Sequence, residues 1–93
     1  MIIKTKDPEE DLDYTWDFSR ILATGETISS YSFPSTPAAL TLHDITSTTN
    51  AVTAYVSPGG TIGTRYDVTC RVVTDSTPPR TFERSIQFRM LSM

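Results

Sequence analysis

The stretch GTRYDVTCRV, residues 63–72, begins with a glycine and alternates strictly between polar and apolar side chains from Arg65 onward. Successive side chains of a β-strand point to opposite faces of the sheet. The apolar residues therefore share one face: Tyr66, Val68, Cys70 and Val72. An apolar face opposite a polar one predicts a strand that lies with one side on a core and the other in water.

A second alternating run closes the chain between residues 82 and 90. Its apolar register contains Phe82, Ile86, Phe88 and Met90. Residues 75–79, DSTPP, separate this run from the first one and have the composition of a turn. Two such runs joined by a turn predict antiparallel strands and an all-β fold.

Arg84 interrupts the apolar register of this last strand. A guanidinium group cannot be buried without a partner. Three arrangements satisfy it: a β-bulge that turns the side chain outward, a position at the rim beside a carboxylate such as Asp13 or Asp17, or a contact with another subunit. Arg84 is therefore a candidate interface residue.

A third alternating run, residues 12–18, has the bulkiest apolar face in the sequence, with Leu12, Tyr14, Trp16 and Phe18 in one register. Trp16 is our candidate for the centre of the core. From the three runs together we predict that the structural core includes Tyr14, Trp16, Phe18, Tyr66, Val68, Cys70 and Phe88.

Further short strands are predicted over residues 27–33, 39–45 and 51–57, which Pro34 and the turn at residues 47–50 delimit. Six or seven strands in 93 residues favour a single domain, residues 1–93, folded as an immunoglobulin-like sandwich of two antiparallel sheets. A small closed barrel is the alternative. Tyr66, near the start of the penultimate strand, has the position of the tyrosine corner of such sandwiches.

The N-terminal segment, residues 1–11, begins with an apolar pair and ends in an acidic run. We expect Ile2 and Ile3 to form a short edge strand, and the whole segment to be either mobile or the place where a partner docks. Ile2, Ile3 and Arg84 are thus the predicted interface residues. The start of the chain has no features of a signal peptide, and no segment is long and apolar enough to span a bilayer.

The net charge of −3, without a cluster of Lys and Arg, argues against nucleic-acid binding. The single cysteine excludes an internal disulfide and suits a reducing cytoplasm. One histidine, His43, and one cysteine cannot assemble a four-ligand zinc site of the usual kind. Neither residue lies in a nucleophile motif, so we predict that the protein is not an enzyme and expect His43 to be an ordinary strand or loop residue.

Two other patterns resemble ligand sites. Carboxylates at residues 7, 9, 10, 11 and 13 are oxygen donors of the type that calcium prefers, but their spacing is not that of a calcium loop and solvated surface charge is the favoured interpretation. The glycines at 59, 60 and 63 lead into a strand rather than a helix, which excludes a phosphate loop. We therefore predict no metal and no cofactor.

A series of short motifs carries a family resemblance: KDP at residues 6–8, LDY at 12–14, DFS at 17–19, GETI at 25–28, GGT at 59–61, YDVT at 66–69 and ERS at 83–85. In this order they resemble small virion structural proteins of tailed bacteriophages, which are described as fibre-to-tail adaptors and are thought to have an immunoglobulin-like fold. The resemblance implies attachment without catalysis and no catalytic residues. Phe18 stands where tryptophan is more frequent.

The resemblance also implies partners and a location. The partners would be other virion proteins: a tail adaptor or nozzle, a tail fibre, and the portal or capsid. Several copies would form a symmetric assembly in the virion tail, built in the bacterial host cytoplasm, with no nucleic acid and no membrane involved. Two alternative functions remain: a capsid decoration (cement) protein, and a carbohydrate-binding module that uses Tyr31 and Tyr55 as exposed aromatic groups.

Overall fold

The computed structural model describes residues 2–92, which form seven β-strands and no helix. The all-β fold predicted from the sequence is confirmed. In chain order the strands are β1 (Ile2–Lys6), β2 (Leu12–Asp17), β3 (Ile28–Ser35), β4 (Leu42–Ser47), β5 (Ala51–Val56), β6 (Arg65–Thr74) and β7 (Thr81–Met90).

The strands form two sheets with the orders β1-β7-β6-β3 and β2-β5-β4. The second, fifth and fourth strands in one layer and the third, sixth and seventh in the other reproduce the immunoglobulin-type arrangement. One pair departs from the predicted antiparallel pattern, because β1 lies parallel to β7, with Ile2 opposite Ile86. After β1 the chain turns through residues 7–11 and enters the other sheet, so no hairpin forces an antiparallel β1.

The alternating residues 65–72 form most of β6, a central strand that pairs with β7 on one side and with β3 on the other. Its apolar residues Val68, Cys70 and Val72 are completely buried, as its alternation requires. Tyr66 is half-buried, and its hydroxyl accepts a hydrogen bond from the Thr61 amide at 3.0 Å. A strand-entry tyrosine that bonds to the backbone a few residues upstream is the geometry of a tyrosine corner.

Trp16 joins the two sheets. Its side chain comes from β2 and is 1% exposed, and its indole Nε1 donates a hydrogen bond to the Val68 carbonyl of β6 at 3.1 Å. The ring meets Phe33 edge to face at a centroid distance of 5.1 Å and Phe88 at 6.5 Å. Because an indole N–H needs a partner when it is buried, this bond fixes how β2 lies over β6.

Around Trp16 both sheets supply small and medium apolar side chains that fill the space between the layers. Phe18, directly after β2, is fully buried, while Tyr14 is half-buried and packs edge to face on Phe88 at 4.7 Å. Burial raises the pKa of the Tyr14 hydroxyl. The buried apolar residues are Trp16, Phe18, Leu40, Val52, Ala54, Val56, Val68, Cys70, Val72, Ile86, Phe88 and Met90.

Two details of the sequence-based prediction are wrong. Pro34 does not end β3, which continues to Ser35; β3 is an edge strand with a register shift at this point, where a missing N–H removes no ladder bond. The fourth strand begins at Leu42 rather than at residue 39, because a turn closed by Leu40 N–H to Pro37 O precedes it. Leu12, which the predicted core did not include, lies at the start of the edge strand β2 and is 44% exposed.

His43 links the two edge strands of the smaller sheet across β5. Its Nε2 lies 2.8 Å from Asp11, its Nδ1 lies 2.6 Å from Asp44, and its ring stacks on Tyr55 at 5.4 Å. Asp44 has a φ of 48° at an irregularity in the β4–β5 register. Aspartate tolerates this left-handed conformation, which brings its carboxylate back to the imidazole. The hydrogen bonds to Asp44 and then Asp11 raise the pKa of His43.

We expect replacement of Trp16 by Phe to destabilise the fold more than a lost surface contact would. Phe keeps an aromatic ring but leaves a gap and removes the donor to Val68 O, and core truncations of this type cost about 1–3 kcal/mol. Urea unfolding measures the loss as a lower midpoint at an unchanged slope. Exposed Tyr31→Phe is the control, which should change stability by less than about 0.5 kcal/mol. Equal midpoints for the two variants would contradict the central role of Trp16.

His43 predicts a pH dependence of stability. A group whose pKa is raised on folding stabilises the fold fully below its unfolded value of 6.5, and the contribution disappears as pH rises through the folded value. Between about pH 6 and pH 8 the urea midpoint should therefore fall in the natural protein and stay flatter in His43→Gln. An NMR titration of His43 with a midpoint at or below 6.5 would contradict this.

Candidate interaction site

A groove of about 650 Å³ opens at the end of the sandwich where β1 begins. We call it the rim groove. One side is formed by β1 and β7, and the other by the connection between β2 and β3, residues 18–27. Its lining residues are Ile2, Asp17, Phe18, Arg20, Ile21, Glu83, Arg84 and Ser85.

The groove exists because the strands of the two sheets differ in length. β6 and β7 each have 10 residues, whereas β2 has 6. The inner face of β7 therefore extends beyond the end of β2, and the chain that follows β2 turns away to form the opposite wall. An inner-face residue at this level of β7 faces an opening instead of a second sheet.

Arg84 lies at this level. It is directly opposite Cys70 in a β6–β7 register without shifts, so the bulge alternative does not hold and the side chain belongs to the inner-face register, as its spacing predicted. The residue is nevertheless exposed, and its Nη1 donates to the Glu83 carbonyl at 2.9 Å. Asp17 lines the same groove, but among residues 2–92 no carboxylate forms a salt bridge with Arg84.

The two carboxylates that line the groove, Glu83 and Asp17, already interact with neighbouring groups. Glu83 forms a salt bridge with Arg71 at 2.7 Å. Asp17 accepts the Ser19 amide at 2.8 Å, and this hydrogen bond is the main reason why the pKa of Asp17 is lowered, with a smaller effect from Arg20. The groove therefore presents two guanidinium groups, Arg20 and Arg84, beside the apolar side chains of Ile2 and Ile21.

The wall formed by residues 18–27 is held in place by Glu26. Its carboxylate accepts the Ala23 amide at 3.0 Å, the Thr74 hydroxyl at 2.7 Å and the Arg80 guanidinium at 3.2 Å. The Ala23 and Thr74 bonds are the main causes of its lowered pKa. The Asp75 carboxylate also holds this connection, because it accepts hydrogen bonds from both the amide and the hydroxyl of Thr27. The groove is therefore bounded by fixed backbone on both sides.

Beside the groove, β1 is the edge strand of the larger sheet, with β7 as its only strand neighbour among residues 2–92. Ile2 points to the inner face and lines the groove, while Ile3 lies on the outer face; they are 46% and 49% exposed. The structure thus brings together all three predicted interface residues, Ile2, Ile3 and Arg84, at one end of one sheet. Residue 1, part of the predicted docking segment, lies outside the described residues.

The acidic turn, residues 7–11, is at the other end of β1. The buried Lys6 donates from Nζ to the carbonyls of Asp7 at 3.1 Å and Glu10 at 2.5 Å. Its ammonium thus occupies the position where a bound cation would find carbonyl ligands. Burial lowers the pKa of Lys6, and the surrounding carboxylates oppose that effect. Among the described residues no three His, Cys, Asp or Glu side chains are grouped to hold a metal ion.

The other candidate residues lie apart from one another. Cys70 is buried on the inner face of the larger sheet, and burial raises the pKa of its thiol to about 12, which keeps it protonated and unreactive. His43 is on the smaller sheet, bound to two aspartates. Near Gly59 the chain approaches itself so closely that a Cβ would lie 2.5 Å from the Ala39 carbonyl, which accounts for a glycine in this loop.

Sequence reasoning missed three parts of this site: the rim groove itself, the Glu26 network and the role of Lys6 inside the acidic turn. The rim groove depends on the lengths of strands in two different sheets. The Glu26 network joins residues that are 48 and 54 positions apart in the chain. For Lys6 the sequence did contain a signal, because a lysine directly precedes the acidic run that contains a proline.

The structure search finds the same fold within much larger proteins. Endo-fucoidan hydrolase MfFcnA4 from glycoside hydrolase family 107 and a single-site variant of it match with a TM-score of 0.63, at 14% and 15% sequence identity. The match covers 99% of this chain but 13% of each hydrolase chain. At this identity the likeness concerns the fold alone. Comparison with curated protein sequences finds no match.

A family model does match, over residues 6–89, which include β2 to β6, all of β7 except its last residue, and the last residue of β1. Its description is podophage GP4 fiber-tail adaptor protein gp77. The resemblance inferred from the short sequence motifs is thereby confirmed. With nearly its whole length matched, this chain belongs to the Gp77 family of podophage fiber-tail adaptor proteins.

Proposed function

We propose that this chain joins the podophage tail to its fibres as a structural subunit, present in several copies and without catalytic activity. The match of residues 6–89 to the fiber-tail adaptor family is the observation that carries this function. The proposed partners are the tail adaptor or nozzle, the tail fibre, and the portal or capsid. The proposed location is the virion tail, after assembly in the host cytoplasm.

The free edge of β1 is the proposed docking place for an extended segment of a neighbouring tail or fibre protein. An edge strand presents unpaired N–H and C=O groups, and an added strand pairs with them. Ile3 on the outer face and Ile2 on the inner face give such a segment apolar contacts on both sides. The N-terminal segment, residues 1–11, thus acts as the partner-docking part of a single domain over residues 1–93.

The positions of the polar side chains support a role without catalysis. Nucleophilic catalysis needs a nucleophile within hydrogen-bond reach of a base. Cys70 lies inside the sandwich with a pKa of about 12, and His43 is on the surface of the other sheet. The two potentially catalytic residues therefore cannot act as a pair.

The alternatives have less support. A decoration protein would have the same fold, but the family described for this chain joins fibre to tail. A carbohydrate site would need an aromatic platform, and the two candidate tyrosines are on different sheets. Tyr55 is stacked on His43, and Tyr31 packs edge to face with Phe33 at 6.4 Å. Neither observation favours a shared sugar-binding surface.

The docking proposal predicts that Ile3→Lys loses capture of the neighbouring protein without loss of folding. Lysine on an edge strand opposes strand addition, and at a side chain 49% exposed it should change the unfolding free energy by less than about 0.5 kcal/mol. Purified chain is mixed separately with the tail adaptor or nozzle protein and with the fibre protein of the same phage, and complexes are measured by size-exclusion chromatography with light scattering.

Ile62→Lys is the matched control, because Ile62 is 59% exposed in the loop between β5 and β6. It should retain the complexes that the natural chain forms. If the natural chain binds neither tail nor fibre protein, the adaptor proposal is wrong. If Ile3→Lys binds as well as Ile62→Lys, the adaptor proposal stands and the β1 docking place is wrong.

A further inference from the structure

The molecule has two ends of different chemical character. β1 runs from the rim groove, lined by Ile2, to the acidic turn, which follows Lys6. β2 then returns from Leu12 beside the acidic turn to Asp17 in the groove. The groove and the acidic turn are therefore at opposite ends of the same two strands.

The groove end has two arginines that form no salt bridge in the described part of the chain, and Arg20 is near enough to Asp17 to help lower the pKa of that carboxyl. Glu83 is bound to Arg71, and Asp17 is held by the Ser19 amide. Within residues 2–92, neither Arg20 nor Arg84 forms a salt bridge. Guanidinium groups of this kind are suited to a segment that carries carboxylates.

The acidic end carries such a segment. The Lys6 ammonium binds the backbone carbonyls of Asp7 and Glu10, so it fixes the shape of the turn. Glu9 and Asp13 are exposed, and no hydrogen bond or salt bridge within the described part of the chain engages either carboxylate. Leu12, which is 44% exposed, points to the opposite face of β2 from Asp13. The end thus presents exposed carboxylates on a turn of fixed backbone.

We propose that the acidic end of one copy, residues 7–13, docks in the rim groove of the next copy. The inference rests on the proposed function, because an adaptor present in several copies needs a contact between neighbours. Two different surfaces of the same chain form a heterologous contact, which closes into a ring when the rotation permits and otherwise continues as a chain. Arg20 and Arg84 pair with the exposed carboxylates of residues 7–13.

The contact is weak for a single pair of molecules and sensitive to salt. Solvent-exposed ion pairs contribute little individually, and they are screened at high ionic strength. On a symmetric tail each copy is held by its neighbours as well as by the tail, so that weak contacts add. Association should therefore be measured with a method that detects weak complexes.

The test uses charge reversal of the full chain. The groove variant combines Arg20→Glu with Arg84→Glu, and the acidic-end variant combines Glu9→Lys with Asp13→Lys. Concentration-dependent shifts of the Ile21 and Ser85 amides in ¹⁵N NMR spectra measure occupation of the groove. The natural chain should show these shifts, and each variant alone should associate about tenfold more weakly.

A chain that carries all four reversals has complementary ends again, and it should regain the shifts. An equimolar mixture of the two double variants should regain them too. Arg65→Glu, an equal charge change outside the groove, is the control and should behave as the natural chain does. Since rescue requires folded partners, it separates a lost contact from a lost fold.

Three results would overturn the inference: no concentration-dependent shift at the groove in the natural chain, no rescue by the fourfold reversal, or groove shifts that appear only when a tail or fibre protein is added. In the last case the occupant is another virion protein. The same variants are also assayed for capture of tail and fibre proteins. Retained capture with absent self-association overturns the contact between copies and leaves the adaptor function intact.

Discussion

The indole N–H of Trp16 and the carbonyl of Val68 form the contact on which the rest of the structure depends. A sandwich of two sheets without a disulfide has no covalent constraint on how one layer lies over the other. Side chains of Val and Ile fill such a core at several relative positions of the layers, whereas a buried donor has to meet its acceptor. The hydrogen bond at 3.1 Å therefore selects one arrangement of β2 over β6.

The position of the rim groove follows from this arrangement. With Trp16 fixed over Val68, β2 ends one residue later, at Asp17, and Phe18 closes the apolar core. Beyond this level β7 continues without a strand opposite it. The same hydrogen bond that orders the core thus also determines where the core stops, and an arginine can occupy the inner-face register of β7 because its guanidinium reaches water through the opening.

The alternation of residues 63–72 and 82–90 was sufficient to predict two long neighbouring strands, because period-two patterns depend only on local backbone geometry. The same pattern placed Arg84 in the correct register but did not predict its exposure. The exposure of Arg84 depends on which residues of the other sheet face it, and the length of β2 in that sheet determines this. The strand β3 was harder, since its Ser and Tyr residues alternate weakly and Pro34 is tolerated only at a sheet edge.

Long-range polar contacts mark the limit of what the sequence predicts. The acidic run at residues 7–13 had two interpretations, a calcium site and solvated surface charge, of which the second was favoured. The turn does enclose a cation, but it is the ammonium of Lys6, which precedes the run in the chain. A cation that is part of the chain cannot dissociate from it, so these carbonyls need no metal ion, and the Glu9 carboxylate is exposed at the surface of the turn. A fixed negative end, unlike a metal-filled one, continues to attract cationic surfaces, and at physiological salt that attraction extends over about 8 Å.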